Sequence, residues 1–268
     1  MRTMLKSLSQ DSSSANISDD EYLSRQVAKM NMLAGEMDDG LSCEMCGNKG
    51  NVFVVEKSRI ISRECSCMTQ RRNLRRLRQS GLMGTVERCT FDAYTDAEDW
   101  QKRLKRGTMD FARNIESLKD KWMFVGGGVG SGKTHLCTAV AMELMLGDRE
   151  VRYMLWVDES QRIKACANDA VKYAEFIEPL KTAEVLYIDD FFKNAPTAAD
   201  IRLAYEIINH RYQDGNLITI ISSEKHISEI EEIDSAVGSR IYERAKGHTF
   251  NLKKDKSRNY RIRDMNVF

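Results

Sequence analysis

The sequence of 268 residues lacks an excess of charge of either sign, and it lacks long hydrophobic runs. Lys and Arg together number 41 and Asp and Glu number 40, so the formal net charge is +1. This balance excludes a protein that binds nucleic acid by being basic throughout, although local basic patches remain compatible with it. The apolar runs are too short to cross a bilayer, and the Ser- and Asp-rich residues after Leu8 leave no signal-peptide segment. The composition therefore predicts a soluble, cytoplasmic protein with no membrane contact.

Seven cysteines are present, and they are unevenly distributed. A disulfide framework is not expected, because the cytosol keeps thiols reduced. The four clustered cysteines are Cys43, Cys46, Cys65 and Cys67. Residues 52–55 and 59–61 between the two pairs predict short strands joined by a turn, which would bring both pairs to one end. Four thiolates in this arrangement favour a structural Zn²⁺ ribbon. Another metal, or four unligated buried thiols, are the alternatives.

Two segments around the cysteines predict helices. Ser18 and Glu21 form a capping-box pattern ahead of an apolar stripe at helical spacing, and Gly35 is a plausible end. The stripe consists of Leu23, Val27, Met30 and Ala34. It either packs on the rest of the protein or binds a partner. Further on, five of the eight residues 71–78 are Arg. They form either a solvated helix face or a contact with phosphates or an acidic partner.

A phosphate-binding loop follows an apolar strand at residues 122–125 and precedes a helix at 135–146. The loop consists of Gly127, Gly128, Val129, Gly130, Ser131, Gly132, Lys133 and Thr134. It matches G-x-x-x-x-G-K-[ST] in the strand–loop–helix context that this motif requires. Its amides would surround the phosphates of ATP, Lys133 would contact the β- and γ-phosphates, and Thr134 would bind Mg²⁺. The alternative is a merely Gly-rich turn.

Two acids end the next strong apolar strand, residues 185–188. Asp189 is the predicted Mg²⁺-side carboxylate, and Asp190 is the predicted general base that accepts a proton from the attacking water. The strand at 217–221 ends in Ser222, Ser223 and Glu224, and parallel strands would bring this end close to the γ-phosphate. These polar groups either contact the phosphate, with Ser223 as the candidate ligand, or form an ordinary loop.

Arg240 and Arg244 lie four residues apart, on one face of a predicted helix. One of them could be an arginine finger that completes the site of a neighbouring subunit. The alternative is a pair of surface arginines. From residue 121 onward, strand and helix patterns alternate, which predicts an α/β domain with a parallel sheet flanked by helices. The predicted organisation is a helical or flexible segment (1–40), a zinc module with its Arg-rich helix (41–80), a linker region (81–118) and the ATPase domain (119–268).

Together these motifs resemble the AAA+ helicase loaders of bacteria and their phages, of the DnaC/DnaI type. The resemblance covers residues 40–268 and rests on the zinc module with its Arg-rich helix and residues 80–82, on the phosphate loop, and on Asp-Asp followed by Phe191-Phe192-Lys193. It rests further on residues 206–212, 221–223 and 239–244. It implies that Asp189 and Asp190 are the Walker B acids, that residues 222–224 hold the sensor-1 position, and that Arg240 is the arginine finger. Arg258 and Arg261 are candidates for sensor 2.

The resemblance implies an ATPase that binds the replicative ring helicase and single-stranded DNA, and that associates with itself through its AAA+ domains. The predicted function is ATP-dependent loading of that helicase at the start of replication. An IstB-type transposition helper ATPase is the first alternative, and the zinc module with its Arg-rich helix favours the loader. A nucleotide-gated adaptor that does not hydrolyse ATP is the second alternative.

Overall fold

The computed structural model describes residues 19–79 and 88–262. The chain divides into two compact units, Met1–Met68 and Thr69–Phe268, and each is described by itself. Ser18 of the predicted capping box and residues 80–82 of the resemblance lie outside the described residues. The finer division at residues 40, 80 and 118 stays a prediction. No helix among the described residues is long and apolar enough to span a membrane.

The first unit contains the predicted two-stranded hairpin. Strand β1 spans Asn51–Glu56 and strand β2 spans Arg59–Glu64, and they pair antiparallel. Lys57 and Ser58 between them have φ of 50° and 54°. This left-handed backbone is that of a type I′ turn, whose twist matches the twist of the flanking strands. The hairpin therefore returns the chain to the end from which it started, where the two cysteine pairs lie.

Helix α1, Asp19–Met32, packs against this hairpin. It ends before Ala34, earlier than the sequence predicts, because the ammonium of Lys49 donates hydrogen bonds to the carbonyls of Met30, Asn31 and Leu33 at 2.8, 3.0 and 2.7 Å. The Asn31 side chain also pairs with both backbone groups of Phe53, each at 2.9 Å. The predicted stripe of Leu23, Val27 and Met30 is half-buried. Packing within the protein is therefore its first role.

The second unit is an α/β fold with a five-stranded parallel sheet, as predicted. Its strands are β3 Trp122–Gly127, β4 Val151–Leu155, β5 Val185–Asp189, β6 Ile218–Ser223 and β7 Thr249–Leu252. Their order across the sheet is β4-β5-β6-β3-β7. The helices that follow α1 are α2 Cys67–Gln79, α3 Asp99–Arg113, α4 Lys133–Leu146, α5 Trp156–Ala165, α6 Ala170–Thr182, α7 Ala198–Gln213, α8 Ile227–Ile233 and α9 Ser235–Arg244.

Strand β3 is buried on both faces, as expected for an inner strand of a parallel sheet. Met123 and Val125 belong to the apolar cluster that includes α3 and α4. Trp122 and Phe124 belong to a second cluster that includes α7 and α9. Helices therefore cover both faces of β3, and the loop that leaves its carboxyl end starts from a fixed position.

Arg211 of α7 lies in one of the segments that carry the resemblance, and its surroundings are structural. Its side chain is fully buried, and its Nε donates to Thr219 Oγ1 at 3.0 Å. The guanidinium also donates to the backbone carbonyls of Leu180, Lys181, Ala183 and Ile218. Burial lowers the pKa of Arg211 to about 9. Arg211 therefore joins the end of α6 to the start of β6.

The Arg-rich part of α2 is not the open basic surface that its sequence suggests. Asn73 is buried, and its side chain pairs with the edge of β4: the Val151 amide donates to Asn73 Oδ1 at 2.9 Å, and Asn73 donates to the Arg149 carbonyl. Arg71 is buried, and Arg76 forms an ion pair with Glu150. Arg75 and Arg78 are exposed. One face of the helix therefore serves packing, because an edge strand needs partners for its free backbone groups.

Candidate functional site: a phosphate loop beside two acids

The phosphate loop occupies the junction between β3 and α4, in the predicted strand–loop–helix arrangement. Gly127 has φ of 131°, and a Cβ on it would lie 2.2 Å from the Leu252 carbonyl oxygen. Gly132 has φ of 83°, and a Cβ there would lie 2.6 Å from the Tyr94 ring. Both positions therefore require glycine. The open amides at the start of α4, together with the helix dipole, favour an anion at this point.

Lys133 contacts the loop that it belongs to. Its ammonium donates to the carbonyls of Gly127 and Gly128 at 2.9 and 2.7 Å, and the residue is only 6% exposed. Burial lowers the pKa of Lys133, while the nearby carboxylates of Glu224 and Asp190 oppose that shift. Two carbonyl oxygens of the loop thus hold the charge of Lys133 beside the loop backbone.

Asp189, the last residue of β5, is held by three hydroxyl groups. Thr134 Oγ1 donates to Asp189 Oδ1 at 3.1 Å, and Tyr153 OH donates to Oδ2 at 3.2 Å. Ser222 also donates to Oδ1. Burial, reinforced by the Asp189 charge, raises the pKa of Tyr153, so its hydroxyl remains a donor. The Thr134 hydroxyl beside a carboxylate offers hard oxygen ligands, which fit Mg²⁺.

Asp190 follows β5 in a left-handed conformation, with φ of 56°. Its amide donates to Ser222 Oγ at 3.2 Å, and its carboxylate accepts a hydrogen bond from the Lys193 ammonium at 2.7 Å. This hydrogen bond raises the pKa of Lys193. The two acids therefore differ in surroundings: Asp189 is buried among hydroxyl groups, whereas Asp190 faces a cavity and a lysine.

That cavity has a volume of about 290 Å³. It is lined by Cys89, Val129, Gly130, Ser131, Gly132, Lys133, Thr134, His135, Asp190, Lys193, Glu224 and Arg261. Most of the predicted loop residues and Asp190 are thus together in one cavity. Lys193 and Cys89 line the cavity without a predicted role: Lys193 belongs to the segment that follows the two acids, and Cys89 belongs to none of the motifs.

In the sensor-1 segment, residues 222–224, Ser223 is the predicted phosphate ligand, but its hydroxyl bonds to backbone groups. The Ser223 hydroxyl donates to the Phe191 carbonyl at 2.6 Å and accepts from the Lys225 amide at 3.1 Å. Ser223 is not among the residues that line the cavity. Its two neighbours reach the site instead: Ser222 bonds to Asp189, and Glu224 lines the cavity.

The two sensor-2 candidates separate clearly. Arg261 lines the cavity. The Arg258 guanidinium lies over the Trp100 ring, 4.7 Å from its centroid. Between them, the Tyr260 amide donates to the Gly130 carbonyl at 3.1 Å. The segment after β7 therefore contacts the phosphate loop and presents Arg261 to the cavity.

Arg240 of α9 is not among the residues that line the cavity of its own chain. It donates to the Ala236 carbonyl at 2.8 Å, and its guanidinium carbon lies 5.3 and 5.5 Å from the ring centroids of Tyr205 and Tyr212. Arg244 contacts the Tyr212 ring from 5.1 Å. Stacking on aromatic rings thus holds Arg240 in a half-buried position on the helix.

The four cysteines of the first unit form one compact cluster. All four Sγ atoms lie within 4.8 Å of one another. The Cys43–Cys65 and Cys46–Cys67 Sγ distances are 3.7 and 3.6 Å. A Zn–S bond of about 2.3 Å gives a tetrahedron whose edges are about 3.8 Å. The geometry therefore fits a four-thiolate zinc module, with no position left for a substrate.

The sequence is similar to a known protein family and to individual known proteins. Residues 50–266 match the family of IstB-like ATP binding proteins. The chain is 32% identical to the phage-like element PBSX protein XkdC of Bacillus subtilis (strain 168), over 75% of this chain and 78% of that protein. It is 22% identical to the replicative helicase loader DnaC of Buchnera aphidicola subsp. Acyrthosiphon pisum (strain APS), over 70% of this chain and 74% of that protein.

A solved structure has the same fold. The crystal structure of the DnaC helicase loader superposes with a TM-score of 0.52 at 21% identity, covering 62% of this chain and 97% of that one. These matches confirm the resemblance drawn from the motifs. The chain belongs to the IstB-like ATP-binding protein family, with the P-loop AAA+ fold of the DnaC-type loaders.

Proposed function

We propose that this protein is an ATP-dependent loader that binds a replicative ring helicase and deposits it on single-stranded DNA. The observation that carries the proposal is the joining, in one chain, of a phosphate site with two acids and a separate unit built on four cysteines. A relative named as a replicative helicase loader supports it. In the proposed division of work, the second unit uses ATP and the first unit binds the helicase.

The phosphate site supplies the parts that ATP hydrolysis needs. The loop amides bind phosphate oxygens, and Lys133 exchanges its carbonyl partners for the β- and γ-phosphates. Thr134 and Asp189 would hold Mg²⁺, which when bound neutralises charge on the phosphates. Asp190, the acid that faces the cavity, accepts the proton of the attacking water. In this arrangement Ser222 sets the position of both acids through its single hydroxyl group.

Arg240 serves the neighbouring subunit in this proposal. It lies outside the cavity of its own chain, and the rings of Tyr205 and Tyr212 fix the direction of its side chain. A guanidinium brought to the phosphates of the next subunit adds positive charge to the transition state. ATP would then order adjacent AAA+ domains, and hydrolysis would release them.

Zinc holds the first unit together in this proposal. Purified protein is expected to carry about one zinc ion per chain by elemental analysis, since four thiolates close a tetrahedral site. Cys46→Ser should lose the zinc and unfold this small unit, because metal ligation supplies its folding free energy. Cys166→Ser, outside the cluster, is the matched control and should keep the metal. A fully active protein free of metal would contradict the zinc module.

Helicase capture is the decisive experiment for the loader. The full chain should retain a ring helicase in a pull-down with ATP, and it should place that ring on circular single-stranded DNA. In the first unit, Met32 and Leu33 are 86% and 65% exposed, and burying apolar side chains of this kind favours association with a partner. Met32→Ser with Leu33→Ser should therefore abolish capture and leave ATP binding unchanged. Loss of both activities, or capture by the double variant, would count against this division of work.

A transposition helper of the IstB type is the second candidate, and the family match favours it. It requires the same ATPase but a transposase as partner, so binding to a transposase in place of a helicase would support it. A nucleotide-gated adaptor would bind ATP without turnover. A steady-state ATPase assay with and without single-stranded DNA distinguishes this adaptor from both ATPases.

A further inference from the structure

Lys193 occupies a position in the phosphate cavity that the proposed ATPase mechanism does not use. Its ammonium lies 2.7 Å from Asp190 Oδ2 and 3.9 Å from Glu224 Oε1. The side chain is 40% exposed, so its charged end can move. Two carboxylates from the ends of neighbouring strands thus share one lysine at the edge of the cavity.

The local backbone explains why Lys193 lies there. Asp190 and Phe192 have φ of 56° and 52°, and the Lys193 amide donates to the Asp190 carbonyl at 3.0 Å. The Phe191 and Phe192 rings stack with centroids 4.2 Å apart, and both contact Trp156 edge-on. This buried aromatic cluster fixes the turn. The turn therefore holds the Lys193 backbone beside Asp190, while the side chain remains free to change partner.

The charges around the cavity favour a change of partner by Lys193 when a phosphate enters. Asp190 and Glu224 are negative and face the space that takes phosphate. A terminal phosphate entering there would be repelled by both carboxylates, and a cation that lies between them, in addition to Lys133 and the proposed Mg²⁺, would reduce that repulsion. The other Lys and Arg residues that line the cavity are Lys133, which bonds to the loop carbonyls of Gly127 and Gly128, and Arg261, for which no ion pair with either acid is seen among the described residues. Among the lining residues, Lys193 is the cation paired with these two acids.

We propose that Lys193 is a sensor of the terminal phosphate, which pairs with Asp190 in the absence of a nucleoside triphosphate and transfers to the γ-phosphate when one binds. The transfer frees the Asp190 carboxylate to accept a proton. Hydrolysis removes the γ-phosphate and returns Lys193 to Asp190. ADP, which has no γ-phosphate, leaves the original pair intact. The inference rests on the nucleotide site of the proposed function and assigns Lys193 as the residue that distinguishes ATP from ADP.

The test compares two affinities in the full chain. Lys193→Met should weaken binding of a non-hydrolysable ATP analogue with Mg²⁺ by about tenfold to a hundredfold, the usual effect of losing one charge-assisted hydrogen bond. Its affinity for ADP should stay within twofold of wild type. Lys172→Met is the matched control, because Lys172 pairs with Asp169 on the surface of α6 and is not among the cavity residues. It should change neither affinity.

A second variant distinguishes direct contact between Lys193 and the γ-phosphate from simple neutralisation of the negative charge in the cavity. Glu224→Gln removes one of the two acids. If Lys193 contacts the γ-phosphate, Lys193→Met in the Glu224→Gln background should still weaken the ATP analogue at least fivefold. The proposal would be overturned if the Glu224→Gln variant and the Glu224→Gln, Lys193→Met double variant bound the ATP analogue with equal affinity. It would also be overturned if Lys193→Met weakened the binding of the ATP analogue and of ADP equally. If the wild-type chain binds no ATP, the proposed function fails as well. If the wild-type chain binds ATP, and the Lys193→Met variant keeps the wild-type ratio of affinities for the ATP analogue and for ADP, only the assignment of Lys193 as the sensor is wrong.

Discussion

Lys133→Ala is expected to lower the affinity for ATP by at least about a hundredfold, because it removes charge-assisted hydrogen bonds to two phosphates, each contributing about 1.5–3 kcal/mol. The buried ammonium now donates to the carbonyls of Gly127 and Gly128. In the proposed ATP complex it exchanges these two carbonyls for the β- and γ-phosphates. Titration with a fluorescent ATP analogue measures the loss directly.

The control for this variant must separate binding from folding, because Lys133→Ala also removes two hydrogen bonds within the loop. The thermal midpoint of the variant should therefore be measured beside its affinity. Lys246→Ala is the matched control, since Lys246 is exposed beyond α9 and does not line the cavity. It should bind ATP as the wild type does. An ATPase rate unchanged in Lys133→Ala would rule out the assigned phosphate site.

The parts of the site that lie within one stretch of sequence could be predicted from it. The phosphate loop needs only a strand, glycines and a helix in succession, so Gly127 to Thr134 identify themselves. The hairpin of the first unit follows from two short apolar segments and a turn, and it brings the four cysteines together as expected. In each case the determining contacts are local, or are set by one turn.

The parts of the site that depend on strand order could not be predicted. Tyr153 and Ser222 bond to Asp189 because β4 and β6 are the two neighbours of β5 in the sheet. Nothing in the local sequence of any of the three strands gives that order. The prediction of Ser223 shows the same limit, because adjacent residues on a strand point to opposite faces and the sequence does not say which one reaches the cavity.

The Arg-rich helix shows a different limit. At about 3.6 residues per turn its arginines lie on one side and Asn73 and Leu74 on the other, but the sequence does not say which group Asn73 pairs with or that Arg76 pairs with Glu150. The partner of Asn73 is strand β4, which lies at the edge of the sheet and has free backbone groups that pair with the Asn73 side chain. Charge reversal at Arg76 would therefore disturb packing as well as any contact with DNA, whereas Arg75, which is exposed, reports on the surface alone.

Asp190→Asn is expected to lower kcat for ATP hydrolysis by about 10²–10⁴-fold, which is the usual contribution of a positioned general base. The amide keeps the shape of the side chain and its place beside Lys193, but it cannot accept the proton. ATP binding should persist, since Asp190 is not the acid that bonds to Thr134. It should also tighten slightly, because a negative charge beside the γ-phosphate is removed. Single-turnover hydrolysis and equilibrium binding of an ATP analogue measure the two effects separately.

Asp189→Asn provides the contrast that makes this result specific. Asp189 is buried among the hydroxyls of Thr134, Tyr153 and Ser222, where a neutral amide cannot accept all three hydrogen bonds or hold Mg²⁺ as a carboxylate does. Its substitution should therefore weaken Mg²⁺-dependent ATP binding as well as hydrolysis. If Asp190→Asn loses binding while Asp189→Asn keeps it, the roles of the two acids are reversed. If Asp190→Asn hydrolyses ATP at the wild-type rate, the general base is another group, and releasing Asp190 from Lys193 has no catalytic consequence.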